Sequence, residues 1–95
     1  MRANFKKLRV EVAFDEFKEL DIARQLGNFI HANTPDIGMD DIAREIYYSQ
    51  GDVEIPEDYA EGIVSMIKSA HCNFLACVKK AVINELEESG DGADQ

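Results

Sequence analysis

From Ile63 to Leu86 the apolar residues recur with a helical period. Ile63, Ile67, Ala70, Phe74, Cys77 and Ala81 follow one another at spacings of 4, 3, 4, 3 and 4, the spacing of one helical face. Val64, His71, Leu75, Val78, Val82 and Leu86 form a second stripe beside it. At about 100° per residue the two stripes cover roughly half the helix circumference, against the ~100° arc that a surface helix buries. The stretch is therefore expected to be the core of the fold and to touch more than one neighbour. From Tyr59 to Glu88 a straight rod would be about 45 Å long, whereas a compact chain of this length is about 30 Å across. Either the helix breaks or it projects into another subunit. Ser69 to Asn73 is its poorest helix-forming part, and Ser69 and Asn73 can each cap a helix start. A break or bend is expected there.

Residues 5–14 have the other period. Leu8, Val10, Val12 and Phe14 alternate with Lys7, Arg9, Glu11 and Ala13, as in a half-buried strand. The internal candidate partner is the short alternating run Asp52 to Ile55. Two such strands are marginal unless helices cover them, and an uncovered edge of this length is a template for the same strand of a second copy. Asp15 can cap a following helix that buries Ile22, Ala23, Leu26, Phe29 and Ile30 and turns Asp21, Arg24, Gln25 and Asn28 outward. Gly27 weakens that helix but allows close packing. The helix ends near Ala32, at Asn33-Thr34-Pro35-Asp36. The next begins with Thr34 as cap and Pro35 in its first position, or near Met39 if Gly38 interrupts. It buries Met39, Ile42, Ala43, Ile46 and Tyr47 and stops at Gly51. Pro56 with Glu57 and Asp58 opens the C-terminal helical region. Ser89–Gln95 has nothing to bury and is expected to be a disordered tail. The pattern thus predicts one domain over residues 1–88. Its fold is α+β and predominantly helical, with three or four helices packed around a C-terminal core helix and one or two short strands.

Charge narrows the choice of partner. The net charge is −9 over 95 residues. Arg2, Lys6, Lys7 and Arg9 make the first nine residues +4, so the remainder carries −13. Such a surface repels a phosphate backbone and anionic lipid, which argues against direct nucleic-acid or membrane binding. No apolar run approaches the ~18 residues of a membrane span, and the basic start is not followed by a signal-peptide apolar segment. A cytoplasmic location is expected. Cys72 and Cys77, five apart on a helix, would hold their Cα atoms about 8–9 Å apart, too far for a bridge, so both are read as reduced thiols.

Candidate chemistry is sparse. His71, Cys72 and Cys77 diverge around a helix and cannot meet at one tetrahedral ion without His31 and a further ligand. His71 lies within the apolar arc and reads as a core histidine. Cys77 falls on the buried face and Cys72 on the polar one. A nucleophilic cysteine needs a base and an orienting group nearby, and no phosphate loop, His-Glu-x-x-His run or serine elbow is present. No catalytic residue, metal or cofactor is assigned. Asp36 to Glu61 contains nine acids and one base, Arg44. That segment could dock on a basic partner or imitate DNA charge, although a solvated face explains it more simply. A helix-turn-helix is disfavoured because residues 52–61 hold five acids and no base.

Several runs carry a resemblance: Leu26-Gly27-Asn28-Phe29-Ile30-His31, Asp36-Ile37-Gly38, Ile42 to Tyr47, Val53 to Tyr59, and Phe74 to Lys80. Over residues 6–88 or so the chain is similar to small proteins carried by prophages and other mobile elements of gut Bacteroidetes. The resemblance implies a bacterial or phage accessory protein and brings no activity or site residues with it. The expected function is a non-enzymatic protein-interaction domain that forms a homodimer or small oligomer. An acidic charge mimic that inhibits a DNA-binding protein, and a small enzyme using His31 or His71, are the alternatives. Candidate partner-binding residues are Leu8, Val10, Val12 and Phe14 on the strand and Asp40, Asp41, Glu57 and Asp58 among the acids.

Overall fold

Along the chain come β1 (Arg2–Asn4), β2 (Leu8–Ala13), β3 (Glu16–Leu20), α1 (Ala23–Asn33), α2 (Ile37–Tyr47), β4 (Asp52–Glu54), α3 (Glu57–Lys68) and α4 (Ala76–Asp91). This computed structural model describes the backbone of residues 1–91 and the side chains of residues 1–87. The class is the expected one, α+β and mostly helical, with more strand than the alternation indicated. Two antiparallel two-stranded sheets form, β1 with β4 and β2 with β3.

The long apolar stretch breaks where its helix-forming residues are poorest. Ser69 leaves α3 in an extended conformation, φ −67° and ψ 150°. It then organises the turn: its Oγ accepts from the His71 N–H at 3.0 Å and its carbonyl accepts from the Cys72 N–H at 3.1 Å. Ser69 therefore ends one helix rather than capping the next. The break lets both halves fit an envelope of 38 × 30 × 26 Å, which a 45 Å rod would overrun. α3 buries Ala60, Ile63 and Ile67. α4 buries Ala81, Val82 and Leu86 and packs on α3, β1 and β2. The expectation that the other helices pack around this C-terminal element is corrected: α1 and α2 pack chiefly on each other, and α4 meets α3 and the strands, so its apolar arc is only partly covered. Leu75 is 72% exposed, and Ala70 and His71 are exposed at the break.

The tail beyond Glu88 was expected to be disordered. α4 continues through residues 89–91, and residues 92–95 lie outside the described part.

Residues 16–20 correct the reading of the first helix. They form β3, so Asp15 caps no helix. It sits in the turn between β2 and β3 with φ at +65°, a conformation Asp tolerates better than most residues. The start of α1 is served instead by Asp21, whose Oδ1 accepts from the Ala23 N–H at 3.2 Å. From there the expected face holds: Ile22, Ala23, Leu26 and Ile30 are buried. Asp36, not Thr34, caps α2, accepting from the Gly38 N–H at 3.0 Å. α2 lays Met39, Ile42, Ala43 and Ile46 against the core. Asp52–Glu54 is a strand, as expected, but it pairs with Arg2–Asn4 in register Ala3↔Val53. The Ile55 N–H extends this ribbon to the Met1 carbonyl at 2.8 Å. Asn4 ties it to α4, its N–H donating to Glu85 Oε2 at 2.9 Å.

Candidate functional site

The β2–β3 hairpin is half core and half surface. Its register runs Leu8↔Leu20, Arg9↔Glu19, Val10↔Lys18 and Glu11↔Phe17, then skips to Ala13↔Glu16. Val12 is the extra residue of a bulge, which bends its strand. On the inner side of the bulge Leu8 and Val10 are 2% and 0% exposed. Two candidate contact residues are thereby corrected: Leu8 and Val10 are core and cannot meet a partner. The expected partners of this strand, Asp52–Ile55 or the same strand of a second copy, are corrected too: β3 pairs with it, and Asp52–Glu54 pairs with β1.

Toward the turn the hairpin's side chains are exposed. Val12, Phe14 and Phe17 are 40%, 94% and 46% exposed. Asp15 holds the tip, its N–H donating to Glu11 Oε2 at 2.9 Å, and the Arg9 guanidinium lies 4.0 Å from the Phe17 ring centroid. A groove of about 440 Å³ separates this outer half from the start of α4, lined by Val12, Ala13, Phe14 and Phe17 on one side and Ala76, Cys77 and Lys80 on the other. Lys6 Nζ lies 3.2 Å from Asp21 Oδ2, linking the residues just before β2 and just after β3. That contact, together with the Ala23 N–H, holds the Asp21 carboxyl below its ordinary range, the backbone hydrogen bond contributing most. Chemically the groove can bury an apolar side chain, and Arg9, Glu11, Lys80 and Asn84 supply its polar lining.

The acids do not form one docking face of free charges. Asp40 is taken by His31, whose Nδ1 contacts its Oδ1. Asp40 belongs to the first turn of α2, and Glu57 and Asp58 to the first turn of α3. There they satisfy the positive helix ends. Asp41, Glu57 and Asp58 remain exposed. Glu54 sits 3.2 Å from the amino terminus, and that ammonium holds its carboxyl below the ordinary range.

The His31–Asp40 pair lies in a cleft of about 300 Å³ between α1 and α2, with Asn28, Arg44, Tyr47 and Tyr48 around it. An imidazole oriented by a carboxylate is half of a catalytic triad. The cleft supplies no serine, threonine or cysteine as the other half. The His31 side chain is 69% exposed, so the pair stands in water and contributes roughly 0–1 kcal/mol to holding the two helices together.

The remaining chemistry lies elsewhere than the helical period indicated. His71 is exposed rather than in the core. Cys72 is buried and Cys77 half-buried, the reverse of the expected order, because the break rotates the two segments independently. Both thiols are free. Among the described residues no group of three or more His, Cys, Asp and Glu side chains is placed to hold a metal ion. No helix among them is long and apolar enough to cross a membrane.

Phe17 and the α4 side of the groove were missed in the sequence. Phe17 and Leu20 are three apart, which a helix running into Ile22 also explains. The available signal was the placement of Phe14 and Phe17 on either side of Asp15-Glu16. Compared with known proteins, no family model, no curated protein and no solved structure matches the chain.

Proposed function

We propose that this protein is a non-enzymatic interaction domain that self-associates through the outer half of its hairpin, as a cytoplasmic accessory protein of a bacterial mobile element. The mobile-element setting rests on the sequence resemblance alone. The observation that carries the rest is the grouping of Val12, Phe14 and Phe17, all substantially exposed, on one short ribbon beside an apolar groove. Single exposed apolar residues are ordinary; a contiguous cluster of large ones marks a contact surface. A two-stranded ribbon with most of its side chains exposed is also marginal by itself, so a companion that covers it stabilises it.

Size-exclusion chromatography with light scattering tests the reading. The wild type is expected above 10.7 kDa at tens of micromolar, and the Val12→Ser, Phe14→Ser, Phe17→Ser triple variant at the monomer mass. A wild type that stays monomeric throughout, or a triple variant that associates as the wild type does, contradicts it.

A further inference from the structure

We propose that the outer edge of β3 pairs antiparallel with β3 of a second copy, with Phe17 opposite Phe17 and Glu16 opposite Lys18, joining two hairpins into one four-stranded sheet. This rests on the self-association reading and specifies its geometry.

The edge is open. β3 is bonded to β2 alone in its sheet, and among the described residues no other element takes a backbone hydrogen bond from Glu16–Leu20. Glu16, Phe17, Lys18 and Glu19 are all exposed. An unpaired edge is a template for strand addition, and identical chains associate most often about a two-fold axis.

Symmetry then restricts the register. Two copies of one strand pair antiparallel about a two-fold axis normal to the sheet, which preserves the face each side chain points to. Directly opposed residues share a face. Only registers that set some residue opposite its own copy satisfy both conditions. With Lys18, Glu16 or Glu19 on the axis, like charges stand directly opposite, which is destabilising. With Leu20 on the axis, Glu19 faces Asp21 and much of the strand is left unpaired. With Phe17 on the axis, two aromatic rings meet and Glu16 faces Lys18 twice, once on each side. Asp15, which would otherwise approach Glu19 of the second copy, lies in the turn and outside the strand. Charged side chains on an edge are also a common protection against pairing. Here they are complementary in one register, and that difference can be tested.

Glu16→Lys and Lys18→Glu each set like charges opposite in that register, whereas the double variant exchanges them. An equimolar mixture of the two single variants restores both opposite-charge pairs. All four exposed-site proteins are checked for native circular dichroism and compared by sedimentation velocity. Each single variant is expected to associate at least about tenfold more weakly than the wild type. The double variant and the mixture are expected to recover wild-type association to within about threefold. If the wild type associates and the single variants do so equally well, or the double variant and mixture fail to recover, this register is wrong while self-association stands. If the wild type itself is monomeric, both fall together.

Discussion

Gly27 of α1 sits directly against Tyr47 of α2: a Cβ at Gly27 would lie 2.8 Å from the Tyr47 Cβ and 2.8 Å from the Ala43 carbonyl oxygen. Both neighbours belong to or hang directly from helix backbone, so neither can swing aside. Gly27→Ala gains up to about 1 kcal/mol of helix propensity and meets an overpacking cost of about 1–3 kcal/mol. A net loss near 1 kcal/mol is expected, seen as a fall in Tm of roughly 4–8 °C. Gly51, with nothing within 4 Å of an added Cβ, is the control: Gly51→Ala should leave Tm within about 2 °C.

The partial covering of the C-terminal helices predicts a sharp contrast. Ile63 and Val82 are 0% exposed, Leu75 72%. Ile63→Ala is expected to cost about 2–5 kcal/mol in chemical denaturation. Leu75→Ala should change stability by less than ~0.5 kcal/mol. Equal effects would contradict the burial of Ile63 in α3 and the exposure of Leu75 just ahead of α4.

Asp21 and Glu54 contribute to the acid limb of the stability curve. Both carboxyls are held below their ordinary range in the folded chain, Asp21 chiefly by the Ala23 N–H and Glu54 by the amino terminus. As pH falls through about 4 the unfolded chain takes up these protons first, so the contribution of the two carboxylates is full above that point and is lost below it. Glu54→Gln should make the fall between about pH 4 and pH 2 shallower, measured by urea midpoints across that range.

The two thiols should differ in access. Cys72 is 5% exposed, while Cys77 is half-buried and lines the hairpin groove. Brief iodoacetamide treatment of the native protein, read by peptide mass spectrometry, should label Cys77 well before Cys72. Labelling at Cys72 first would contradict the described break between α3 and α4.

The helices were legible because each buries one face. Ile22 to Ile30 and Met39 to Tyr47 keep their period unbroken, and the residues it selects are buried except Phe29 and Tyr47, which are half-buried. The break at Ser69 was legible from length against domain size and from weak helix formers together. The hairpin was not. Its second strand, Glu16–Leu20, is exposed along most of its length, and a strand with neither face buried has no alternation to show. Its turn depends on Asp15 adopting a positive φ, which Asp permits without announcing. The identity of the contact residues failed for the same reason. Alternation alone could not place the bulge at Val12, which divides buried Leu8 and Val10 from exposed Val12 and Phe14. Cys72, Cys77 and His71 were misplaced because a single helical wheel was carried across a segment that is not helical.

Backbone hydrogen exchange of Phe17, Lys18 and Glu19, followed by NMR as protein concentration rises from tens of micromolar to millimolar, tests the account where it is most exposed. Successive amides of β3 point alternately toward β2 and away from it; those pointing away exchange freely in a lone ribbon, whereas bonded to a second chain they are protected in proportion to the bound fraction. Protection in this strand that grows with concentration, while the amides of α1 stay constant, is the predicted result. Exchange of the outward-pointing amides of this strand that is fast and independent of concentration would contradict it.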